Sequence, residues 1–388
     1  MVNRNRIISL TQKLIRANSE NPCGTEKAVA QIVEKELEDC GFEVKTYEFE
    51  KDRTNVVGIL KGKSSSKSLL LTPHIDTVPA GGSWKHNPFA AEIIDGKIYG
   101  RGAADCKCNV AVCLEVARLL YENKIKLGYD LIIAATADEE SGSKLGLIPL
   151  LEKGIFSDML KSRERAERSE RIVRPTHALV MDAEGFEIAI MQKGVLQLRA
   201  TVYGKKAHGA YPWKGENAVE AASKAIVELK NYKFNVKPHP LVHPPTINIG
   251  TIRGGEAVNI VPDECEFTID ARYLPGMDAD SLILEIRKAI EKATKNYKLE
   301  TLNMQLPYEM NRNSPLITTL ESAMKKNGVE PKIKGSDGAT VMTFFQKYKI
   351  PAISFGVGPD MAHQTDEYVE IGALVKGAQV LIDFLKEF

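Results

Sequence analysis

Apolar residues recur at helical spacing over residues 5–19, where Ile7, Ile8, Leu10, Leu14 and Ile15 share a face. Thr25 is placed to cap a second helix that runs to Asp39, with Val29, Ile32, Val33 and Leu37 on one side, and Gly41 ends it. Residues 42–48 alternate apolar and polar, as a half-buried strand does, and 55–60 read as the next strand. Three further apolar runs, 69–71, 131–136 and 178–181, are short enough for strands, and 352–355 is a fourth. Helical spacing returns at 109–122 (Val110, Leu114, Ala117 and Tyr121 inward), 145–151, 316–327 and 370–388. This mixture of apolar strands and helices predicts an α/β architecture in which the main strands share one sheet.

The order changes from about residue 192. Strand (195–203), helix (217–231), strand (246–252), strand (264–273), helix (280–294) and strand (298–304) follow one another. That β-α-β-β-α-β order is the split motif of ferredoxin-like domains. It predicts an inserted domain over 192–306, interrupting a larger domain made of 1–191 and 307–388.

A chain of 388 residues is long enough for two cores. Its net charge of +1 gives no general attraction to nucleic acid or to an acidic membrane. No apolar run reaches spanning length, and the first six residues lead into an amphipathic helix and not a signal region. The six Cys, at 23, 40, 106, 108, 113 and 265, lack a disulfide-framework spacing and read as reduced thiols of a cytoplasmic protein. Residues 157–174 interleave six Lys/Arg with four Asp/Glu, the pattern of a solvated helix or insertion and not of a binding patch.

The chemistry gathers where the apolar runs end. Leu69-Leu70-Leu71 delivers Thr72-Pro73-His74-Ile75-Asp76, and 131–136 delivers Asp138-Glu139-Glu140. The run 178–181 ends in Asp182-Ala183-Glu184, and the last strand leads through Gly356-Val357-Gly358-Pro359 to His363. In open α/β sheets ligands bind beyond the carboxyl ends of strands. A neutral imidazole suits zinc, and a carboxylate nearby orients it by accepting its other N–H. Adjacent carboxylates such as Glu139 and Glu140 repel each other unless a cation or a proton lies between them. Taken alone, His74-x-Asp76 fits a hydrogen-bonded loop histidine, and Asp105, just before a helix, fits a plain N-cap. His239 and His243 are four apart, but Pro238, Pro240, Pro244 and Pro245 exclude the helix that would align them. Gly100-x-Gly102 carries Asp105 where a dinucleotide fingerprint needs its third glycine.

Four segments together resemble the dinuclear zinc amidohydrolases. They are His74-Ile75-Asp76, Gly100-Arg101-Gly102-Ala103-Ala104-Asp105, Asp138-Glu139-Glu140-Ser141-Gly142 and Ala362-His363-Gln364-Thr365-Asp366-Glu367. The group includes acetylornithine deacetylase, succinyl-diaminopimelate desuccinylase, aminoacylase and related carboxypeptidases and dipeptidases. The resemblance covers nearly the whole chain and implies a zinc-peptidase-like catalytic domain with a central mixed sheet and an inserted ferredoxin-like α+β lid and dimerisation domain. It implies two zinc ions, with cobalt as a possible substitute: His74 and Asp182 on one, Glu140 and His363 on the other, and Asp105 bridging. Glu139 would be the general base and Asp76 would orient His74. In the inserted domain His208 matches the residue that serves the partner subunit's site, and Asn259, Arg272, Ser336 and Gly338 match substrate-holding positions. The expected substrates are N-acyl amino acids, with a dipeptidase or carboxypeptidase as the alternative reading and a non-catalytic binding protein as a third. The expected assembly is a homodimer. Two departures stand out. Cys106-Lys107-Cys108 follows Asp105 where the family usually has an apolar residue, Lys and Gly, and reads as packing at a helix start. Asp182 stands where the deacetylases and desuccinylases have Glu, with Glu184 two residues on.

Overall fold

The computed structural model describes residues 1–22, 25–64, 66–160, 174–182 and 185–388. The chain divides into two compact units. The first comprises Met1–Ile190, Met310–Lys334 and Phe344–Phe388; the second comprises Met191–Glu309 and Gly335–Thr343. The strands in chain order are β1 (Glu43–Glu48), β2 (Thr54–Leu60), β3 (Ser68–Thr72), β4 (Ile93–Ile94), β5 (Lys97–Tyr99), β6 (Asp130–Ala135), β7 (His177–Val180), β8 (Glu187–Gln192), β9 (Gly194–Tyr203), β10 (Ala207–His208), β11 (Thr246–Gly254), β12 (Ile260–Val261), β13 (Glu264–Tyr273), β14 (Tyr297–Gln305), β15 (Tyr308–Glu309), β16 (Lys332–Ser336), β17 (Ala352–Ser354) and β18 (Tyr368–Glu370).

In the first unit the main sheet runs β1-β2-β6-β3-β7-β17-β8. Its centre is parallel: β3 pairs with β6 and β7, and β17 with β7. The outer pairings, β2 with β6, β1 with β2 and β8 with β17, are antiparallel. The sheet is therefore mixed. Strands β3 and β6 are buried along their whole length, as their continuous apolar runs require, while the alternating β1 is an edge strand facing solvent. Helix α1 (Arg4–Arg16), α2 (Lys27–Glu38) and α3 (Lys107–Glu122) belong to this unit, and α3 packs against α1 and the terminal helix Ile371–Glu387.

Several local expectations change. Helix α2 has Glu26 and not Thr25 at its N-cap, although Thr25 Oγ1 still accepts from Lys27 N at 3.2 Å. Tyr121 was expected to face inward but is 55 % exposed; α3 is buried on nearly every side until its last turn emerges. The N-cap of α3 is Cys106, with no side-chain cap, so Asp105 is not a helix cap. A small sheet, β18-β5-β4, had no counterpart in the sequence reading. The charged stretch 157–174 falls largely on 161–173, outside the described residues; Arg174 donates to Leu151 O at 3.1 Å.

The second unit carries the antiparallel sheet β11-β13-β9-β14. Alternate residues of β9 (Leu196, Leu198, Ala200, Val202) and β13 (Cys265, Phe267, Ile269, Ala271, Tyr273) form its core with the helices Ala218–Asn231 and Ala279–Glu291. The order of elements along the chain and of strands across the sheet is that of the split β-α-β motif. No helix among the described residues is long and apolar enough to cross a membrane.

Candidate metal centre

The carboxyl ends of β3, β6, β7 and β17 point the same way, because the strands are parallel. Beyond β3 the chain stays paired for a few residues: Ile75 N donates to Thr136 O at 2.8 Å and Thr136 N to Pro73 O at 3.0 Å. This holds His74 next to the turn after β6. There Asp138 adopts a left-handed φ of 62°, and Glu139–Ser141 form a short 3-10 turn. Asp138 is fixed by Leu145 N at 2.9 Å and by Arg53, itself paired with Glu26 at 2.7 Å.

Asp105 arrives by a different route. Strand β18 pairs with β5, and Glu367, just before β18, accepts from the backbone N–H of Gly102, Ala104 and Asp105 at 3.1, 2.7 and 3.0 Å. Arg101 closes the arrangement with Nη1 2.6 Å from Glu367. His363 lies four residues before Glu367, so one segment fixes both His363 and the Asp105 turn.

The carboxylate of Asp105 stands between two histidines. His74 Nε2 lies 2.9 Å from Oδ1, and His363 Nε2 lies 3.6 Å from Oδ2. His74 Nε2 is also 3.9 Å from Asp182 Oδ1, and His363 Nε2 is 3.1 Å from Glu140 Oε2. Two groups of donors result among the described residues: His74, Asp105, Asp182 and Cys106, and Asp105, Glu140 and His363, each within 4.8 Å of one another. Glu140 Oε1 is buried without a hydrogen-bond partner. The donor sets, one imidazole with carboxylate oxygens each, the Cys106 thiol beside the first and Asp105 common to both, fit a pair of divalent ions.

The electrostatics agree with that fit. Burial, then the charges of Asp182, Glu140 and Asp76, push the Glu139 carboxyl well above the ordinary range, with His74 opposing. Burial likewise raises Glu140. Burial would also raise Asp105, but its hydrogen bond to His74 and the two histidine charges hold it below. Five carboxyl groups this close need cationic charge among them.

Asp76 does more than face His74. The ring's Nδ1 is 3.0 Å from the backbone oxygen of Asp76 and 3.4 Å from its carboxylate. The carboxylate itself accepts from Glu139 N at 3.0 Å, Glu140 N at 3.1 Å and Asn21 Nδ2 at 2.9 Å. It therefore ties the first histidine to the turn carrying both glutamates. Asn109, unmarked in the sequence, joins Asp182 O at 2.8 Å to Val357 N at 3.0 Å. Cys106 and Cys108 are fully buried, as packing residues would be, yet Cys106 also belongs to the His74 group. Burial pushes its thiol up to about 12. Glu184 lies outside the described residues.

The remaining candidates lie in the second unit. His208 is exposed and its Nδ1 accepts from Ala210 N at 3.0 Å. While that bond is made, the neutral ring carries its proton on Nε2. Asn259 is exposed, and its carbonyl accepts from Gly209 N at 2.7 Å. Arg272 faces Asp270 of its own strand through Nε at 2.6 Å and Nη2 at 3.0 Å. Ser336 Oγ accepts from Gly338 N at 3.2 Å, and Asp337 between them pairs with Lys193 at 2.7 Å and with His243. His239 and His243 are loop residues, as their prolines require.

Residues 70–387 match the model of peptidase family M20/M25/M40, and the chain belongs to that family. It is a metallohydrolase of the peptidase and amidohydrolase type. Among its relatives, an uncharacterised metallohydrolase of Methanococcus maripaludis is 30% identical over 421 residues, covering 98% of both chains. A succinyl-diaminopimelate desuccinylase of Methylobacterium radiotolerans is 29% identical, over 95% of this chain and 93% of that one. Among solved structures, an aminopeptidase of Bacillus cereus superposes with a TM-score of 0.77 at 23% identity, covering 100% of this chain and 99% of the other, which shows the common fold.

Proposed function

We propose that this metallohydrolase cleaves the amide bond of N-acyl amino acids, in the manner of a deacetylase or desuccinylase. The observation that carries the reading is the placement of Glu139: its backbone N–H donates to the Asp76 carboxylate at 3.0 Å, and it stands next to Glu140 but outside both donor groups. His74, Asp105, Asp182, Glu140 and His363 would hold two zinc ions, which supply Lewis acidity and activate water for attack. Glu139 would take the proton of the attacking water and return it to the leaving amine. Asp76 keeps His74 and the Glu139 turn in register. His208, with its proton on Nε2, would donate to the developing oxyanion of a neighbouring chain's substrate in a homodimer. Asn259, Arg272 and the Ser336–Gly338 backbone would hold the substrate's carboxylate. Five of the cysteines are free and buried, which supports a reducing, cytoplasmic setting.

The fold shared with an aminopeptidase favours a second reading, hydrolysis of short peptides by the same machinery. A panel of N-acetyl and N-succinyl amino acids, dipeptides and tripeptides, run with metal analysis, separates the two. Turnover confined to peptides overturns the acyl reading. No turnover with any member, in protein carrying two zinc ions, overturns both.

A further inference from the structure

The two donor groups are not alike. His74, Asp105, Asp182 and Cys106 make one group of four donors, whereas Asp105, Glu140 and His363 make three and include no sulfur. The Cys106 thiol is fully buried and donates to His74 O at 3.3 Å. Cys108 donates to Ala104 O at 3.2 Å, one turn back, and belongs to neither group. A tetrahedral zinc with Zn–S of about 2.3 Å and Zn–N or Zn–O of about 2.0–2.2 Å holds its ligand atoms roughly 3.3–3.6 Å apart. Ligand atoms now within 4.8 Å need shifts on the order of 1 Å to close on an ion.

We propose that Cys106 is a further ligand of the ion held by His74 and Asp182, giving that position a sulfur donor that the Asp105–Glu140–His363 position lacks. This rests on the two-metal reading above. As the metal–sulfur bond forms, the thiol proton leaves to solvent. Sulfur selects zinc, cadmium and cobalt over magnesium and manganese. The His74–Asp182 position then prefers thiophilic ions more strongly than the position without sulfur.

Cobalt tests this directly, because a cobalt–thiolate bond adds an intense near-ultraviolet charge-transfer absorption that nitrogen and oxygen ligands do not give. The metal-free full-length protein is titrated with cobalt, and then with cadmium. The band is expected in the unaltered protein and in Cys108→Ser and Cys113→Ser, and absent from Cys106→Ser. In Cys106→Ser one of two cadmium sites should weaken by more than the about 10–100-fold that loss of an outer partner costs. Cys106→Ala serves the same purpose if the serine variant does not fold. Two bound cobalt ions without the band in the unaltered protein, or a band that survives in Cys106→Ser or Cys106→Ala, overturns the proposal and leaves the two-metal reading standing. No cobalt or zinc bound at all overturns both.

Discussion

At the scale of the residue, the site is built by groups that never meet a metal. Glu367 gathers three backbone N–H groups and the Arg101 guanidinium, all buried. Glu367→Gln keeps the shape but leaves Arg101 without its counter-charge. Breaking such a buried pair costs about 3–5 kcal/mol, and loss of an outer-shell partner weakens metal binding about 10–100-fold. Thermal denaturation and metal titration check both, and unaltered metal affinity would show that the Asp105 turn holds itself. Glu139→Gln should behave in the opposite way: metal and fold retained, turnover down about 10²–10⁴-fold. Near-normal turnover there would assign proton transfer to another group. The residues at strand ends were legible because ligand-type side chains stand out against apolar runs. Glu367 and Asn109 were not, because most of their partners are backbone atoms far along the chain, which no side-chain pattern announces.

At the scale of the element, long periodic segments were legible and short ones were not. The helices of both units and the four strands of the second sheet lie close to where their periodicities put them. Strands of two or three residues, such as β4, β5 and β18, carry no period at all, yet β5 and β18 bring His363 and Asp105 together. Strand β8 follows β7 after a short connection and precedes β9 with a single residue between, so its pattern merges with theirs. Tyr121 failed for another reason: a helix buried on nearly all sides has no distinct inward face until it ends. Glycines mark where elements crowd the site. A Cβ on Gly356 would lie 1.7 Å from Asp182 O and 2.6 Å from Asn109 Nδ2, while one on Gly372 meets nothing within 4 Å. Gly356→Ala should cost about 1–3 kcal/mol or more through overpacking, and Gly372→Ala, in a helix, should stabilise by about 0.4–1 kcal/mol. Denaturant titration of the two variants checks the contrast, and equal midpoints would remove the crowding at Asp182.

At the scale of the whole molecule, the functional claim that reaches furthest concerns two copies of the chain. If His208 serves a neighbour's site, His208→Ala keeps its metals and loses about 10²–10³-fold in turnover. Mixing it with Glu139→Gln should restore activity, since a mixed dimer contains one site with an intact Glu139 and an intact donated His208. Mixed dimers that stay inactive although subunits exchange would rule out donation between chains. Fold class was legible at this scale because it depends only on the order of elements. The way the backbone is shared between units was not. The sequence suggested a single insertion, entered once and left once, whereas the chain passes into the second unit at 190/191, leaves at 309/310, re-enters at 334/335 and leaves again at 343/344. The returning nine residues bring Asp337 to the buried Lys193 and Thr340 to Gln192. A gene fragment spanning only 191–309 would thus encode an unfinished module, with an ammonium and an amide deprived of their partners. Moving this domain into a relative therefore means exchanging two separate stretches at once.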